Sequence, residues 1–331
     1  MVRAESLVGL SVSSPRKGDA CVDSVGLPGC LRMKVSPYLL LTLSSLFWSG
    51  NMIAGRILRD SPPAALTFWR WCVVLAILLP FVLPILRRQW PIVRTALPVL
   101  LVVGVLGVGS FGLVTYIGLK TTTATNASLL NSIIPVTILA LSWIFLRQPL
   151  SARQITGVLV SLAGVAAIVT RGELALLRDF HFNPGDLWIL VAVVCWSIYS
   201  ILLRYRPPTL HPLVLLVSTV SIGMLGMGPI FLLEHQRGDV LHLTTQVAIG
   251  IGFVALFPSL LAYLFWNRGV AEVGAEKAGL FLHLMPVFGT LFSVIFLDEV
   301  LHGYHAFGIG MIVVGIYLST VVPARLVRSS G

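Results

Sequence analysis

The chain has 331 residues, of which 56% are hydrophobic and 11% are charged. Soluble domains average roughly 25% charged residues, so this composition excludes a soluble enzyme and a disordered protein. The net charge of +10 is compatible with nucleic-acid binding, but lysine and arginine also accumulate in the cytoplasmic loops of membrane proteins. We therefore expect a lipid bilayer, and no nucleic acid, as a partner of this chain.

Apolar runs follow one another along the chain from residue 37 onwards. A bilayer has a hydrocarbon core ~30 Å thick, and a helix of about 20 apolar residues crosses it. Ten runs approach this length: Pro37–Ile57, Ala64–Leu86, Leu97–Leu119, Ala124–Leu146, Ile155–Val169, Leu187–Leu203, Leu213–Leu233, Val247–Phe265, Ala278–Leu297 and Ala306–Val321. The sequence therefore predicts an all-α integral membrane protein with ten transmembrane helices.

The basic residues predict the orientation of these helices. When successive loops are assigned to alternate sides, 16 of the 23 lysines and arginines share the side of the N-terminus, six lie opposite, and Arg70 falls inside a span. Cytoplasmic loops carry the excess of positive charge, so both termini are predicted to be cytoplasmic. We expect residues 1–36 to form a disordered cytoplasmic tail and residues 322–331 to form a short C-terminal tail on the cytoplasmic side.

The second half of the chain repeats the first. A shift of 151 residues aligns Pro135 with Pro286 and gives twelve identities over 41 ungapped positions. A shift of 148 residues aligns Trp48 with Trp196. The identities extend over most of the fourth, fifth, ninth and tenth runs, so the chain is predicted to be a duplication of a five-helix unit.

An odd number of spans in each copy fixes how the copies relate to the membrane. The second copy must enter from the opposite side, so residues 37–170 and 187–321 are predicted to form an inverted-topology pair, joined by a periplasmic linker at residues 171–186. Inverted repeats recur in secondary transporters, whose substrates bind near the midplane between the two halves.

Short motifs accompany this duplication. They are Phe47-Trp48-Ser49, Pro62-Pro63, Phe68-Trp69-Arg70, Tyr116-Ile117-Gly118-Leu119, Gly185-Asp186-Leu187, Cys195-Trp196-Ser197, Trp266-Asn267 and Leu297-Asp298-Glu299, with Pro135, Pro286, Gly157, Gly164, Gly308 and Gly315. Over residues 37–320 the pattern resembles the EamA domain of the drug/metabolite transporter superfamily. The resemblance implies two inverted five-helix EamA repeats in a bacterial inner membrane. One departure is Gln148, where that family usually has glutamate.

Polar and aromatic side chains within the predicted spans are the candidates for substrate binding, because such groups are rare and often functional at membrane depth. Helical spacing places several of them on shared stripes. The predicted substrate-binding residues are Trp48, Asn51, Asn131, Trp196, Tyr199, Tyr263, His283 and Arg70. The alternative is structural, since asparagine and histidine also bond neighbouring helices, and tryptophan and tyrosine also form interfacial belts.

Arg70 and His283 each have two possible roles. Arg70 could hold a substrate carboxylate or phosphate through paired hydrogen bonds, or it could reach the outer surface and bind loop carbonyls. The resembling family usually has arginine here whatever its substrate, which favours the structural role. His283 could carry protons, although a histidine in a protein core is more commonly a hydrogen-bonded structural group.

Pro135 and Pro286 occupy repeat-related positions within predicted spans. Proline removes a backbone hydrogen bond from a helix, so matched kinks are predicted at both sites, with a role as hinges.

Taken with the resemblance, these features predict a secondary transporter that exports amino acids or related small metabolites by alternating access. The sequence has no Walker A motif, so transport without ATP is expected. No aspartate or glutamate lies mid-span, which argues against coupling to protons or sodium through a carboxylate. No cofactor or metal is expected. The resemblance leaves open drug or cation efflux and the transport of sugar phosphates or nucleotides. A membrane-embedded enzyme is the other class, but no catalytic grouping is evident. The chain could also pair as a homodimer.

Overall fold

The computed structural model describes residues 35–58, 60–173, 182–297 and 300–320. Within these ranges the chain is helical and contains no strand. The α-helices are α1 (Pro37–Ile57), α2 (Pro63–Val103), α3 (Phe111–Leu119), α4 (Ala124–Asn131), α5 (Ile134–Leu146), α6 (Ala152–Val169), α7 (Pro184–Leu202), α8 (Pro212–Gln236), α9 (Thr245–Val254), α10 (Ala262–Val273), α11 (Ala275–Gly279), α12 (Leu284–Leu297) and α13 (Gly303–Thr320).

Several predictions from the sequence fall on residues outside these ranges. They concern residues 1–34 of the N-terminal tail, residues 174–181 of the linker, Asp298 and Glu299, and the C-terminal tail at 322–331.

Seven helical segments in the described part of the chain are long and apolar enough to cross a membrane. They are Pro63–Leu119, Asn126–Leu146, Ala152–Val169, Pro184–Tyr205, Pro212–Gln236, Thr245–Val273 and Gly303–Thr320. Helix α1 has the required length but carries three serines and an asparagine, and α12 has only 14 residues. Large apolar side chains such as Phe81, Phe145 and Leu225 are exposed, as a surface that faces lipid requires.

The predicted spans Ala64–Leu86 and Leu97–Leu119 are not separated by a non-helical loop. Helix α2, a π-helical segment (Gly104–Ser110) and α3 follow one another without a break. A straight helix would place Arg70 and Gly112 about 60 Å apart, yet a Cβ atom on Gly112 would overlap the Arg70 guanidinium. The helical run therefore turns back on itself, and its four internal prolines supply points where the hydrogen-bond ladder is interrupted.

Helices α6 and α7 begin three residues before the apolar runs that predicted them. Ser151 and Gln154 form a capping box at the start of α6, and Asn183 and Asp186 form one at the start of α7. The predicted starts were too late because the first turn of each helix is polar. At α7 the buried Asp186 carboxylate also accepts hydrogen bonds from Thr122 and Asn126, which fixes α4 beside α7.

The repeat-related helices α6 and α13 pack directly against each other. The α-carbon of Gly164 faces the Gly308 carbonyl, with a Cβ position 2.6 Å from that oxygen, and Gly157 faces Gly315 in the same way. The first glycine of one helix thus meets the second glycine of the other. The two helices therefore run antiparallel, and the absence of side chains at the crossing allows their backbones to approach closely.

The predicted spans Ala124–Leu146 and Ala278–Leu297 are each interrupted at repeat-related positions. Helices α4 and α5 are separated by a turn at residues 132–133, and α11 and α12 by a 3₁₀ turn at Leu280–His283. Pro135 and Pro286 come just after these interruptions. Pro135 lies in the first turn of α5, where a missing N–H leaves no donor unpaired, so it starts a new helix instead of kinking a continuous one.

Candidate substrate site

Six aromatic residues from four helices form one buried group, here called the aromatic cluster. Its members are Trp48 of α1, Trp71 of α2, Trp196 and Tyr199 of α7, and Tyr263 and Trp266 of α10. Each is less than 9% exposed. The ring centroids of Trp48 and Trp196 are 5.0 Å apart, and those of Trp71 and Tyr263 are 5.2 Å apart. The cluster therefore joins the two repeats through direct aromatic contacts.

Two π-helical segments hold this cluster from opposite repeats. They are Gly104–Ser110 and Ala255–Leu261, and the 151-residue shift superimposes their bounds. The Trp48 indole N–H donates to the Pro258 carbonyl at 3.0 Å, and the Tyr263 hydroxyl donates to the Gly107 carbonyl at 2.7 Å. Gly107 and Pro258 are themselves repeat-related, so each half offers the same backbone acceptor to an aromatic donor. Such π segments occur frequently at functional sites.

Three indole N–H groups of the cluster remain without hydrogen-bond partners among the described residues. They belong to Trp71, Trp196 and Trp266, all 1% exposed or less. A buried polar group left unpaired costs about 1–3 kcal/mol, so natural cores rarely contain several together. These donors are available to the acceptor atoms of a bound molecule.

Arg70 and Asn51 lie together beside the aromatic cluster. The Arg70 guanidinium carbon is 5.1 Å from the Trp71 ring centroid and 5.7 Å from that of Tyr116. The Tyr116 hydroxyl donates to the Asn51 amide oxygen at 3.4 Å. Tyr116 thus connects the two predicted residues, and we name Asn51, Arg70 and Tyr116 the arginine site.

His283 and Asn131 lie instead at the two helix interruptions. His283 Nε2 is 2.9 Å from the Ser132 carbonyl oxygen, and Nδ1 is 2.6 Å from the Ser161 hydroxyl oxygen. A carbonyl only accepts, so Nε2 carries a proton, and the neutral ring accepts at Nδ1. His283 therefore ties α6 to both interruptions. The Asn131 amide oxygen is buried and has no partner among the residues that the structure describes.

Four members of this region were not among the substrate-binding residues predicted from the sequence: Trp71, Trp266, Tyr116 and Asn267. Trp71 and Tyr116 were missed because their contacts with predicted residues of other helices become visible only in the fold. Trp71 packs against Tyr263, and Tyr116 donates to Asn51. Asn267 accepts a hydrogen bond from the Tyr199 hydroxyl at 2.5 Å. The adjacent pair Trp266-Asn267 was a motif, but only the fold places its asparagine against α7.

A cavity of about 310 Å³ opens beyond Tyr199, at the end of α7. Its polar lining includes Ser200, Arg204, Arg206, Gln148 and Glu276. With its amide oriented to suit both neighbours, Gln148 donates to Glu276 at 2.6 Å and accepts from Arg204 at 2.9 Å. We call this the polar bridge. An amide can donate and accept at once, whereas a glutamate at this position would set two carboxylates side by side.

A bundle of apolar helices whose repeat-related members run antiparallel, with a buried polar and aromatic site, is the architecture of a multi-pass membrane transporter. The model of the EamA-like transporter family matches residues 35–170 and 183–321. The chain therefore belongs to this family, within the drug/metabolite transporter superfamily.

Individual proteins are similar over most of the chain. The uncharacterized transporter YyaM of Bacillus subtilis is 28% identical over 260 residues, which cover 77% of this chain and 84% of YyaM. The uncharacterized transporter YetK of the same organism is 24% identical, covering 88% of each chain. A crystal structure with 21% sequence identity superimposes with a TM-score of 0.70, over 86% of this chain and 96% of that one, which shows a shared fold.

Proposed function

We propose that the chain is a secondary transporter that carries small organic metabolites outward by alternating access, with amino acids or related compounds as its substrates. The observation that carries this proposal is the aromatic cluster held between repeat-related π segments. Because both halves offer the same backbone acceptors, each half can support a substrate-binding arrangement open to its own side of the membrane. The proposed location is a bacterial inner membrane.

The proposed topology has ten crossings in two inverted repeats, residues 37–170 and 187–321, with both termini cytoplasmic and the linker at 171–186 in the periplasm. The reversal between Arg70 and Gly112 supports two crossings within Pro63–Leu119. The antiparallel pair α6 and α13 supports the inversion. Reporter fusions after residue 120 and after residue 205 test it: the first junction should report the periplasm and the second the cytoplasm.

The transport activity is tested by counterflow into proteoliposomes that contain the purified full chain. The panel comprises radiolabelled amino acids, a sugar phosphate and a fluorescent cationic dye, so it also separates the metabolite, phosphate and drug-efflux alternatives. We expect saturable flux of at least one amino acid or related compound. If no compound moves in either direction, the proposed function is wrong.

Substitutions in the aromatic cluster test its part in this flux. Trp48→Ala and Trp196→Ala should each reduce flux at least about tenfold, as expected when an aromatic contact and a hydrogen-bond donor are lost. The matched control is Trp188→Ala, because Trp188 lies on the same helix as Trp196 but is 45% exposed. If Trp188→Ala reduces flux as strongly as the other two, the cluster is not the substrate site.

A further inference from the structure

Arg70 is a buried cation without a counter-ion among the residues that the structure describes. Its side chain is 5% exposed, its Nε atom is buried, and within the described ranges it makes no hydrogen bond or ion pair. Glu234, near the end of α8, lies close to the start of α2, but its two oxygens accept from the backbone N–H groups of Ala64 and Ala65 at 3.3 Å and 2.8 Å. A buried charge normally has a partner, because removing it from water carries a large penalty.

The surroundings of Arg70 stabilise its charge only in part. The rings of Trp71 and Tyr116 give cation–π contacts, which do not occupy the N–H groups in hydrogen bonds. Gly112 provides the space for the guanidinium, since any side chain there would overlap it. Asn51 and Tyr116 are only half-buried, so the arginine site is not sealed on their side.

The two structural roles expected for such an arginine do not fit these contacts. An arginine that fixes a loop donates to backbone carbonyls, and Arg70 donates to none of those described. An arginine that extends to the membrane surface keeps its guanidinium in water or among headgroups. At 5% exposure, the Arg70 side chain does neither.

We infer that Arg70 is the counter-ion for an anionic group on the transported molecule. On the proposed function, on which this inference rests, the substrate carries a carboxylate or a phosphate that forms paired hydrogen bonds with the guanidinium. Its flat or apolar part then lies against the rings of Trp71 and Tyr116, and the free indole donors of the aromatic cluster face its remaining acceptors.

Binding to the purified full chain tests this inference without requiring transport. The probes are benzoate, phenyl phosphate and benzamide, which share a ring and differ in charge, and binding is followed by calorimetry and tryptophan fluorescence. The chain is held in nanodiscs of zwitterionic lipid. We expect at least one of the two anions to bind at least about tenfold more tightly than benzamide, the scale of a charge-assisted hydrogen-bond pair.

Three variants separate the charge from other effects. Arg70→Gln should abolish the preference for anions, and Arg70→Lys should keep part of it, since lysine retains the charge but not the paired geometry. The control Arg94→Gln should leave binding unchanged. Arg94 also stacks on a tryptophan, with its guanidinium carbon 5.5 Å from the Trp90 ring centroid, but it lies on an exposed part of α2.

Thermal stability distinguishes the proposed role of Arg70 from a structural one. If the arginine stabilised the fold, its replacement would lower the Tm. Ligand-free Arg70→Gln should unfold at a higher temperature than the parent chain, because an unpaired buried charge is removed. The anion that binds should raise the Tm of the parent chain and leave that of Arg70→Gln unchanged.

Several outcomes would overturn the inference. They are equal binding of benzamide and the anions, no anion binding at all, a lowered Tm in ligand-free Arg70→Gln, or anion binding that is lost when a parallel set of nanodiscs contains anionic lipid, since that competition would assign the site to a headgroup. If an amino acid or related compound is transported but no anion binds through Arg70, the inference fails and the proposed function stands. If anions bind through Arg70 but nothing is transported, the proposed function fails and the assignment of Arg70 as an anion-binding residue stands.

Discussion

At the level of single residues, His283 is the predicted site residue whose contacts most restrict its role. Both ring nitrogens are occupied, one by the Ser132 carbonyl and the other by the Ser161 hydroxyl, and the ring is 1% exposed. A proton carrier needs a path along which protons reach and leave it. The contacts of His283 instead join three helical segments, so they favour the structural alternative.

His283→Leu should therefore lower stability, because it leaves the buried Ser132 carbonyl without its His283 donor, at about 1–3 kcal/mol, while the Ser161 hydroxyl keeps only the Val158 carbonyl as a partner. We expect a lower Tm in thermal unfolding of the detergent-solubilised chain and a pH profile of flux unchanged in shape. The control is His242→Leu, at an exposed position. An unaltered Tm combined with flux that no longer depends on pH would instead identify His283 as a proton carrier.

Helical spacing in the sequence predicted stripes that carry Trp48, Trp196, Tyr199 and Tyr263, but left open whether the stripes face inward or lie at the membrane interface. The structure buries all four side chains. It could not predict which stripes meet. Arg70 shows this limit of the sequence most clearly. Its position inside a span was evident from the sequence. That it has no hydrogen-bond or ion-pair partner among the described residues depends on α3 and α8, which are distant in the sequence. The sequence favoured a structural role for Arg70, and its contacts support the other alternative.

At the level of helices, the crossing of α6 and α13 depends on four glycines at two points of contact. A Cβ on Gly157 or Gly315 would overlap backbone atoms of the opposite helix, whereas a Cβ on Gly310 of α13 meets nothing within 4 Å. The two kinds of glycine occur on the same helix, so they allow a matched comparison.

Gly157→Ala and Gly315→Ala should each destabilise the chain by about 1–3 kcal/mol, because an overpacked contact must separate the helices. Gly310→Ala should be neutral or stabilising by up to about 1 kcal/mol, since alanine favours a helix. Thermal unfolding in one detergent measures all three. Equal effects at Gly310 and Gly315 would show that the close approach of α6 and α13 does not contribute to stability.

Helix boundaries and interruptions were less predictable than the helices themselves. An apolar run of about 20 residues indicates a span, and α1 has the bounds Pro37–Ile57 that the sequence predicted. The π segments have no residue signature, because Gly104–Ser110 is rich in glycine and valine whereas Ala255–Leu261 contains a proline. The two π segments are equivalent because they occupy the same position in the two folded repeats, and not because their residues are identical.

At the level of the whole molecule, the two ends of the bundle must differ in any one state of an alternating-access transporter. At the proposed cytoplasmic end, the polar bridge joins α7 to the segments that follow α5 and α10 through Arg204, Gln148 and Glu276. The repeat shifts relate these positions to Arg56, Glu299 and Thr125, whose side chains are not among those described. We expect the bridge to help hold its end of the bundle closed.

Ser200 provides a reporter for that closure, because it lines the adjoining cavity and is fully buried. In a chain whose four native cysteines are replaced, Ser200→Cys should react slowly with a membrane-impermeant thiol reagent applied from the cytoplasmic side. Adding Arg204→Gln breaks the hydrogen bonds to Gln148 and should raise the labelling rate about tenfold, the change expected when one charge-assisted bond of roughly 1.5 kcal/mol is lost.

Arg206→Gln is the matched control, since Arg206 lines the same cavity but takes no part in the polar bridge. Burial lowers the pKa of the Arg206 guanidinium from its ordinary value, yet arginine remains a cation in proteins, so both substitutions remove one positive charge from the same cavity. If the two variants raise labelling equally, the charge of the cavity controls access to Ser200. If only Arg204→Gln raises it, the hydrogen bonds of the polar bridge control that access and hold this end of the bundle closed.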